Sequence, residues 1–361
     1  MAGRKRVVVA MSGGVDSSVA AALLAKQRYD VTGVMLRMWS EPDLGAGDLT
    51  RTPQAVAEAR RVADVLGIPF YVLDCEQRFK ECVVRRFIDA YARGDTPNPC
   101  LACNRHIKFG FLLQTALAHG ADYVATGHYA RNVQVDGEFQ LRRGADVRKD
   151  QSYFLYMLGQ DDLSRLLFPL GGLTKATVRE MAARIGLPVA AKEESQDICF
   201  VRGGDYRRFL LAHAPEIARP GPIVDSAGRE LGRHTGLPFY TIGQRHGIGV
   251  SAPAPLYVRH IDVARNALIV GPAAELGRSE LRVVETRFVS GRAPRAPVAA
   301  TVKVRYTGRE VEAILEPQAD GAAQVRLRAP VRDVTPGQAA VFYQGDRVLG
   351  GGTIAGAPDL D

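Results

Sequence analysis

Apolar positions along the first third of the chain change period repeatedly. Val7-Val8-Val9-Ala10 is a short β-branched run that enters Ser12-Gly13-Gly14, and Val19, Ala22 and Leu23 then recur at helical spacing, which predicts strand, tight turn and helix. The alternation continues with a strand over 31–36, a helix over 55–66 stopping at Gly67, and a strand over 70–73. Phe79, Val83 and Phe87 share one face of a helix over 79–91, and the loop 93–99 carries two prolines. A further helix buries Phe109, Leu112, Leu113 and Ala116 and ends near Gly120, before a fourth strand over 123–126 that runs into Gly127-His128. Helices are expected to continue to about Gly186, the last over 175–185. Strands and helices alternating at this length predict a doubly wound, mostly parallel α/β sheet covered on both faces. Ligands of such sheets bind beyond the carboxyl ends of the strands, where the Ser12 turn and Gly127 would meet.

Beyond Gly203 the texture becomes short alternating segments divided by Gly and Pro, such as 256–258 and 267–270. From Leu281, segments at 282–289, 300–306, 311–315, 324–327 and 340–343 read as an all-β barrel or sandwich. The expected organisation is therefore an α/β domain over 1–205, a small central β-rich domain over 206–275 and a C-terminal β-barrel over 276–361.

With 361 residues the chain is large enough for two or three cores, and 46% hydrophobic with 24% charged residues is a globular composition. No apolar run approaches a membrane span, and the stretch behind Arg4-Lys5-Arg6 is too short for a secretion signal, so a cytoplasmic protein is expected. A net charge of +8 favours a polyanionic partner. The five cysteines, Cys75, Cys82, Cys100, Cys103 and Cys199, are odd in number, which argues for metal binding or thiol chemistry over a disulfide framework.

Ser12-Gly13-Gly14-Val15-Asp16-Ser17 lacks the Lys of a Walker A loop and the spacing of a dinucleotide fingerprint. It resembles the pyrophosphate loop of the ATP pyrophosphatases, whose amides face an anion at a helix N-terminus. Cys100-Leu101-Ala102-Cys103 is a CxxC that reads either as half of a zinc site, completed by Cys75 and Cys82 or His106, or as reactive thiols. Cys103 is expected at the start of the helix bearing Phe109, close to Arg105, His106 and Lys108, where helix dipole and cations would lower its pKa. Cys199 follows the polar run 192–197, and Arg148-Lys149 stand beside Tyr153-Phe154, a pairing suited to phosphates and bases.

These stretches occur in one order with Thr96-Pro97-Asn98-Pro99, Ala125-Thr126-Gly127-His128-Tyr129, Lys149 to Leu155, Ser195 to Phe200, Gly243-Gln244-Arg245 and Thr335-Pro336-Gly337-Gln338. The set closely resembles the tRNA-specific 2-thiouridylases, enzymes of the ATP pyrophosphatase type that replace O2 of the wobble uridine with sulfur, and the resemblance covers nearly the whole chain. It implies ATP and Mg²⁺ as cofactors, with ATP held by Ala10, Met11, Ser12, Gly13, Gly14, Val15, Asp16, Ser17, Leu36 and Gly127. It implies that Asn98, Pro99 and Cys100 lie against the target base, and that His128, Lys149, Asp150, Gln151, Arg305, Tyr306 and Gln338 touch tRNA. Cys103 matches the family's nucleophile and Cys199 its persulfide carrier, the two ending as a disulfide. One departure is Cys100, where many members carry Asp.

The implied chemistry transfers AMP to the poor leaving oxygen at C2, after which sulfur from a Cys199 persulfide, or hydrosulfide released from it, replaces that oxygen. A persulfide sulfur-donor protein and a reductant are the implied partners beside tRNA, and the segment around Cys199 is expected to close on the substrate. Two other readings fit parts of the sequence: a synthetase of the amidotransferase type acting on a small carbonyl substrate, and a non-catalytic zinc-stabilised RNA-binding protein.

Overall fold

The computed structural model describes residues 3–39, 51–193, 198–332 and 334–356. Five parallel strands form the first sheet: β1 (Arg6–Ala10), β2 (Asp30–Arg37), β3 (Phe70–Asp74), β4 (Tyr123–Ala125) and, after a hairpin described below, the short strand Leu166–Leu167. Their order is β3-β2-β1-β4 followed by Leu166–Leu167. Chain order reverses between β1 and β4, so the loops leaving these two strands diverge and leave a crevice at their carboxyl ends.

Alternate residues of β1 feed two cores. Val7 and Val9 pack with Val19, Val62, Val178 and Ala182 on one face, whereas Val8 and Ala10 pack with Leu112, Leu113 and Ala116 on the other. The first face is covered by α1 (Val15–Lys26), α2 (Arg51–Leu66) and the helix Lys175–Ile185. The helical runs 76–92 and 99–118 lie beyond the second face, and the latter widens to π-helical turns over Asn104–Leu112.

The expected helix directly after Gly127 is absent. Ala130–Val135 (β5) and Glu138–Arg143 (β6) form an antiparallel hairpin instead. Asp136 and Gly137, with φ of 50° and 84°, make the tight turn whose twist suits two paired strands. That Asp-Gly pair, flanked by alternating residues, is a hairpin signal the helical expectation overlooked.

The second sheet pairs β8 (Gly221–Val224), β9 (Glu230–His234), β10 (Tyr257–Asp262) and β11 (Ala267–Gly271) in the order β10-β11-β8-β9, counting Leu166–Leu167 as β7. The third contains β12 (Arg278–Phe288), β13 (Val298–Lys303), β14 (Val311–Pro317), β15 (Ala323–Val331), β16 (Ala339–Gln344) and β17 (Arg347–Ile354). Antiparallel pairing of β12 with both β15 and β17 closes these six strands into the expected barrel. Strand β17 went unread in the sequence, because Gly350-Gly351-Gly352 interrupts its alternation.

The barrel does not stand apart. Strand β17 pairs with β6 through Arg347 and Arg142, which appends the N-terminal hairpin to the barrel sheet. One apolar core contains Tyr153, Leu155 and Leu158 together with Val289, Val341 and Val348. The Tyr153 hydroxyl donates to the Ala339 carbonyl at 2.9 Å.

Candidate active site

The turn after β1 and the start of α1 form one wall of the crevice. Gly13 adopts φ +72°, and a Cβ there would lie 2.8 Å from the Ala55 carbonyl oxygen. Gly14 is the N-cap of α1 and makes no side-chain cap, so the first amides of α1 are left for a ligand. Inside the turn, the Ser12 amide donates to Ser17 Oγ at 3.2 Å and Ser18 Oγ donates to the Gly14 carbonyl at 2.8 Å. On the opposite wall, a Cβ on Gly127 would meet the Ser17 amide nitrogen at 2.8 Å. Only glycine lets the two loops approach this closely.

Between them lies a cleft of about 380 Å³ whose wall includes Ala10, Met11, Ser12, Asp16, Ser17, Leu36 and Gly127, together with His128, Gln151, Lys108 and Cys199. Seven of the ten expected nucleotide-loop positions thus face one space, and Gly13, Gly14 and Val15 shape its turn. A larger cavity of about 680 Å³ lies between Arg93–Asp95, the β10–β11 turn and β12, and carries none of the cysteines.

Cys199 lines this cleft and Cys103 and Cys100 stand within electrostatic reach of it. The Cys199 residue is exposed at the surface, yet protein packed around its sulfur, and further the Cys103 and Cys100 thiols, push that thiol up to about 12. Phe200 anchors the segment, its ring 5.2 Å from Phe209 and 5.3 Å from Phe87, in the apolar cluster that also holds Cys103. The Cys103 thiol lies 3.9 Å from the sulfur of Met38, a residue of the cleft wall. All five cysteines are free thiols. The motif residues Ser195, Gln196 and Asp197, expected to close over the site, lie outside the described residues.

The environment of Cys103 differs from the expected one. The helix starts at Pro99 with Asn98 as N-cap, its side-chain oxygen accepting from the Cys100 amide at 3.1 Å, so Cys103 is the fifth helical residue and lies inward. Burial raises its pKa, and Lys108 offsets only part of that rise. The anticipated lowering by a helix terminus therefore does not occur in this state; desolvation outweighs it.

The expected RNA-contacting residues divide into three groups. His128 and Gln151 face the cleft. His128 is buried, its Nδ1 2.7 Å from Thr126 Oγ1, and burial followed by Lys108 drives its pKa well below the usual histidine value, so the ring is neutral. Arg305, Tyr306 and Gln338 sit at junctions. Arg305 donates to the Ile242 carbonyl at 3.1 Å and to Thr335 Oγ1, Tyr306 packs on Phe154 at 4.5 Å, and Gln338 reaches the Thr96 carbonyl. Asp150 is buried and accepts from the Gly144 and Ser152 amides and the Ser152 hydroxyl at 2.9–3.1 Å, with Arg143 at 3.6 Å. Its carboxylate is turned away from any surface contact and holds the hairpin to the following turn. Lys149 is half-buried, in the turn closed by its amide on the Asp146 carbonyl.

Two lysines at the loop carried no sequence signal. Lys175 donates to both oxygens of Asp16, and Lys192 donates to the Gly13 carbonyl at 3.0 Å while pairing with Glu58. Lys175 stands 159 residues from Asp16, and Lys192 stands 179 from Gly13 and 134 from Glu58, so both lie beyond the reach of motif spacing. Among the described residues, no three His, Cys, Asp or Glu side chains are placed to hold a metal ion, so the zinc reading of the CxxC finds no ligand set there. No described helix is long and apolar enough to cross a membrane.

Comparison with known proteins decides between the readings left open. The chain is 54% identical over 351 residues to the tRNA-specific 2-thiouridylase MnmA of Chloroflexus aurantiacus (strain ATCC 29366 / DSM 635 / J-10-fl), covering 97% of this chain and 98% of that one. The chain belongs to the tRNA-specific 2-thiouridylase family. The proteins of that name from Roseiflexus sp. (strain RS-1) and Moorella thermoacetica are 52% and 50% identical, over 97% and 96% of this chain and 99% and 98% of theirs. Family profiles described as tRNA methyl transferase HUP domain, tRNA methyl transferase PRC-barrel domain and Aminomethyltransferase beta-barrel domain match residues 5–203, 207–272 and 278–354. Thiouridylase membership accounts for paired thiols at a nucleotide-type cleft, which neither a small-molecule synthetase nor a zinc-stabilised binding protein requires.

Proposed function

We propose that the chain uses ATP to replace the C2 oxygen of the wobble uridine of tRNA with sulfur. The observation that carries this reading is that Cys199 lines the cleft of the Ser12–Ser17 turn, with its thiol within electrostatic reach of Cys103. Backbone amides of the turn, the Ser12 and Ser17 hydroxyls and the glycine-only approach of Gly127 suit a polyphosphate, while Leu36 and Met35 offer an apolar surface to a base. When bound, ATP supplies an adenylyl group that turns the C2 oxygen into a leaving group. Mg²⁺ would arrive on the nucleotide phosphates, where an ion of this kind needs only one or two protein carboxylates, and Asp16 in the cleft wall is of the right chemistry.

The chain's own residues do the sulfur chemistry in this proposal. Cys199 carries a persulfide delivered by a sulfur-donor protein. Its terminal sulfur forms the new bond to C2 as the C2–O bond breaks and AMP leaves, and Cys103, losing its proton as it reacts, attacks Sγ of Cys199 and breaks the persulfide S–S bond, leaving the terminal sulfur on C2. A Cys103–Cys199 disulfide remains, and an external thiol reductant returns both cysteines to thiols. Neutral His128 keeps a hydrogen-bonding ring in the cleft without adding charge. Pro99 and Asn98 fix the start of the Cys103 helix where the target base is proposed to lie, and the positive chain attracts tRNA. A cytoplasmic location, where tRNA and thiol reductants are both found, belongs to the same reading.

The test is mass spectrometry of tRNA nucleosides from a deletion strain complemented with wild type, Cys103→Ser or Cys199→Ser. Wild type is expected to restore 2-thiouridine and each variant to leave it absent. Restoration by either variant refutes the two-thiol mechanism, and 2-thiouridine that does not depend on the wild-type gene refutes the assignment.

A further inference from the structure

The root of the β5–β6 hairpin carries three arginines abreast. Arg131 of β5 is registered against Arg142 of β6, and Arg142 against Arg347 of β17. Residues opposite one another on neighbouring strands point to the same face, and like charges so placed repel. The other face of the hairpin, with Ala130 and Leu141, belongs to the apolar core, so the arginines stand on the outer one. One carboxylate answers them: Asp346 Oδ2 lies 2.8 Å from Arg131 and 3.6 Å from Arg142. Glu138, further along the same face of β6, is paired with Arg292. Arg142 also donates to Gln140 Oε1 at 2.7 and 3.1 Å, and Arg131 Nε to the Arg143 carbonyl at 2.7 Å. Arg347 makes no ion pair among the described residues, and its Nε is buried without a hydrogen-bond partner. Three guanidiniums against one carboxylate leave a row that is short of negative charge.

The row flanks the cleft. Arg131 follows His128 of the cleft wall by three residues, and Arg143, next to Arg142, holds Asp150 beside Gln151 of that wall. Adjacent strands lie about 4.8 Å apart, so the row spans about 10 Å, which suits successive phosphates of a backbone better than a single anion. We propose that Arg131, Arg142 and Arg347 form an RNA-backbone site that holds phosphodiesters of the tRNA arm outside the thiolated loop. The inference rests on the tRNA reading above and adds a contact surface to it. Each phosphate that enters relieves the repulsion between neighbouring guanidiniums and accepts charge-assisted hydrogen bonds, and the site carries no base specificity.

The experiment measures binding of purified tRNA to the full-length protein across a salt series. It uses wild type, Arg347→Gln, the Arg142→Gln, Arg347→Gln double variant and, as a control for net charge, Arg328→Gln on β15. Arg347→Gln is expected to weaken binding about fivefold at low salt and to lower the salt slope by about 1, and the double variant to lower it by about 2. Arg328→Gln is expected to weaken binding less than about twofold. Steady-state thiolation should show KM for tRNA raised and kcat kept, because the row touches no reacting atom. Should thermal unfolding show that the double variant does not fold, Arg347→Gln alone decides, since it removes no ion pair. A loss matched by Arg328→Gln, or a fall in kcat with KM kept, overturns the proposal. So does an unchanged salt slope, which would leave the row to an acidic protein partner. Wild type that binds no tRNA overturns the tRNA reading and the row together, whereas variants that bind as tightly as a tRNA-binding wild type overturn the row alone.

Discussion

The Gln338 side-chain amide donates to the Thr96 carbonyl at 2.7 Å, joining the loop before β16 of the barrel to the loop that sets the Cys103 helix. The same two loops meet again where the Thr96 amide donates to the Pro336 carbonyl at 2.9 Å. The C-terminal barrel therefore fixes the approach to the N-terminal thiol helix, 242 residues away in sequence for the Gln338 contact.

Gln338→Ala should loosen Thr96 without exposing a core. A neutral hydrogen bond contributes about 1 kcal/mol, so kcat/KM for tRNA should fall about fivefold with little change in Tm. Steady-state thiolation with purified tRNA measures it, and an unchanged kcat/KM would show that this contact does not steer the loop.

Gly127→Ala tests the close approach of the two loops. A Cβ would meet backbone at both Ser17 N, 2.8 Å away, and Asp16 C, 2.9 Å away, so the loop must move. ATP affinity is expected to drop about tenfold or more, read by calorimetry, with the sheet intact by circular dichroism.

Thiol titration gives a signed pH dependence. Burial holds Cys103 above the ordinary thiol value of about 8.5, and desolvation at the cleft pushes Cys199 up to about 12, which favours the protonated forms in the folded chain. The contribution of the buried Cys103 to stability is full below about pH 8.5 and is lost as pH rises towards its folded value, whereas that of the exposed Cys199 is weakened by solvent. Alkylation of Cys199 by iodoacetamide, followed by mass spectrometry, should climb about tenfold per pH unit from 7 and show no plateau below about pH 10. A plateau near neutrality would place a low-pKa thiolate there instead.

Asp150→Ala should destabilise the junction and not merely weaken RNA binding. Three donors and Arg143 lose their acceptor in a buried position, so urea denaturation should show a loss of about 1–3 kcal/mol. An unchanged midpoint, with tRNA affinity reduced, would favour the tRNA contact that the family resemblance implies for Asp150.

The α/β half was legible where period alone decides structure: β-branched Val7–Val9 between two cores and Phe109, Leu112 and Leu113 on one helix face could take few other forms. The turn between β1 and α1 was legible because it sits in six consecutive residues between two periodic runs. The hairpin over 130–143 was missed by extending the helical pattern across an Asp-Gly turn. Lys175 and Lys192 were invisible because their partners are brought to them only by the folded sheet. The expected acidity of Cys103 failed for another reason, since sequence proximity to Arg105 and His106 says nothing of how deeply a thiol is buried.

The bridge between Arg142 of β6 and Arg347 of β17 has a consequence for how the chain can be divided. Asp346 reinforces it by pairing with Arg131 at 2.8 Å and Arg142 at 3.6 Å. Cutting at either interdomain linker would strand a ribbon with an open edge on one fragment and bare an apolar flank on the other, both prone to self-association. Expression of separate halves should give insoluble material, whereas co-expression should let the ribbon find its seat and recover a soluble heterodimer.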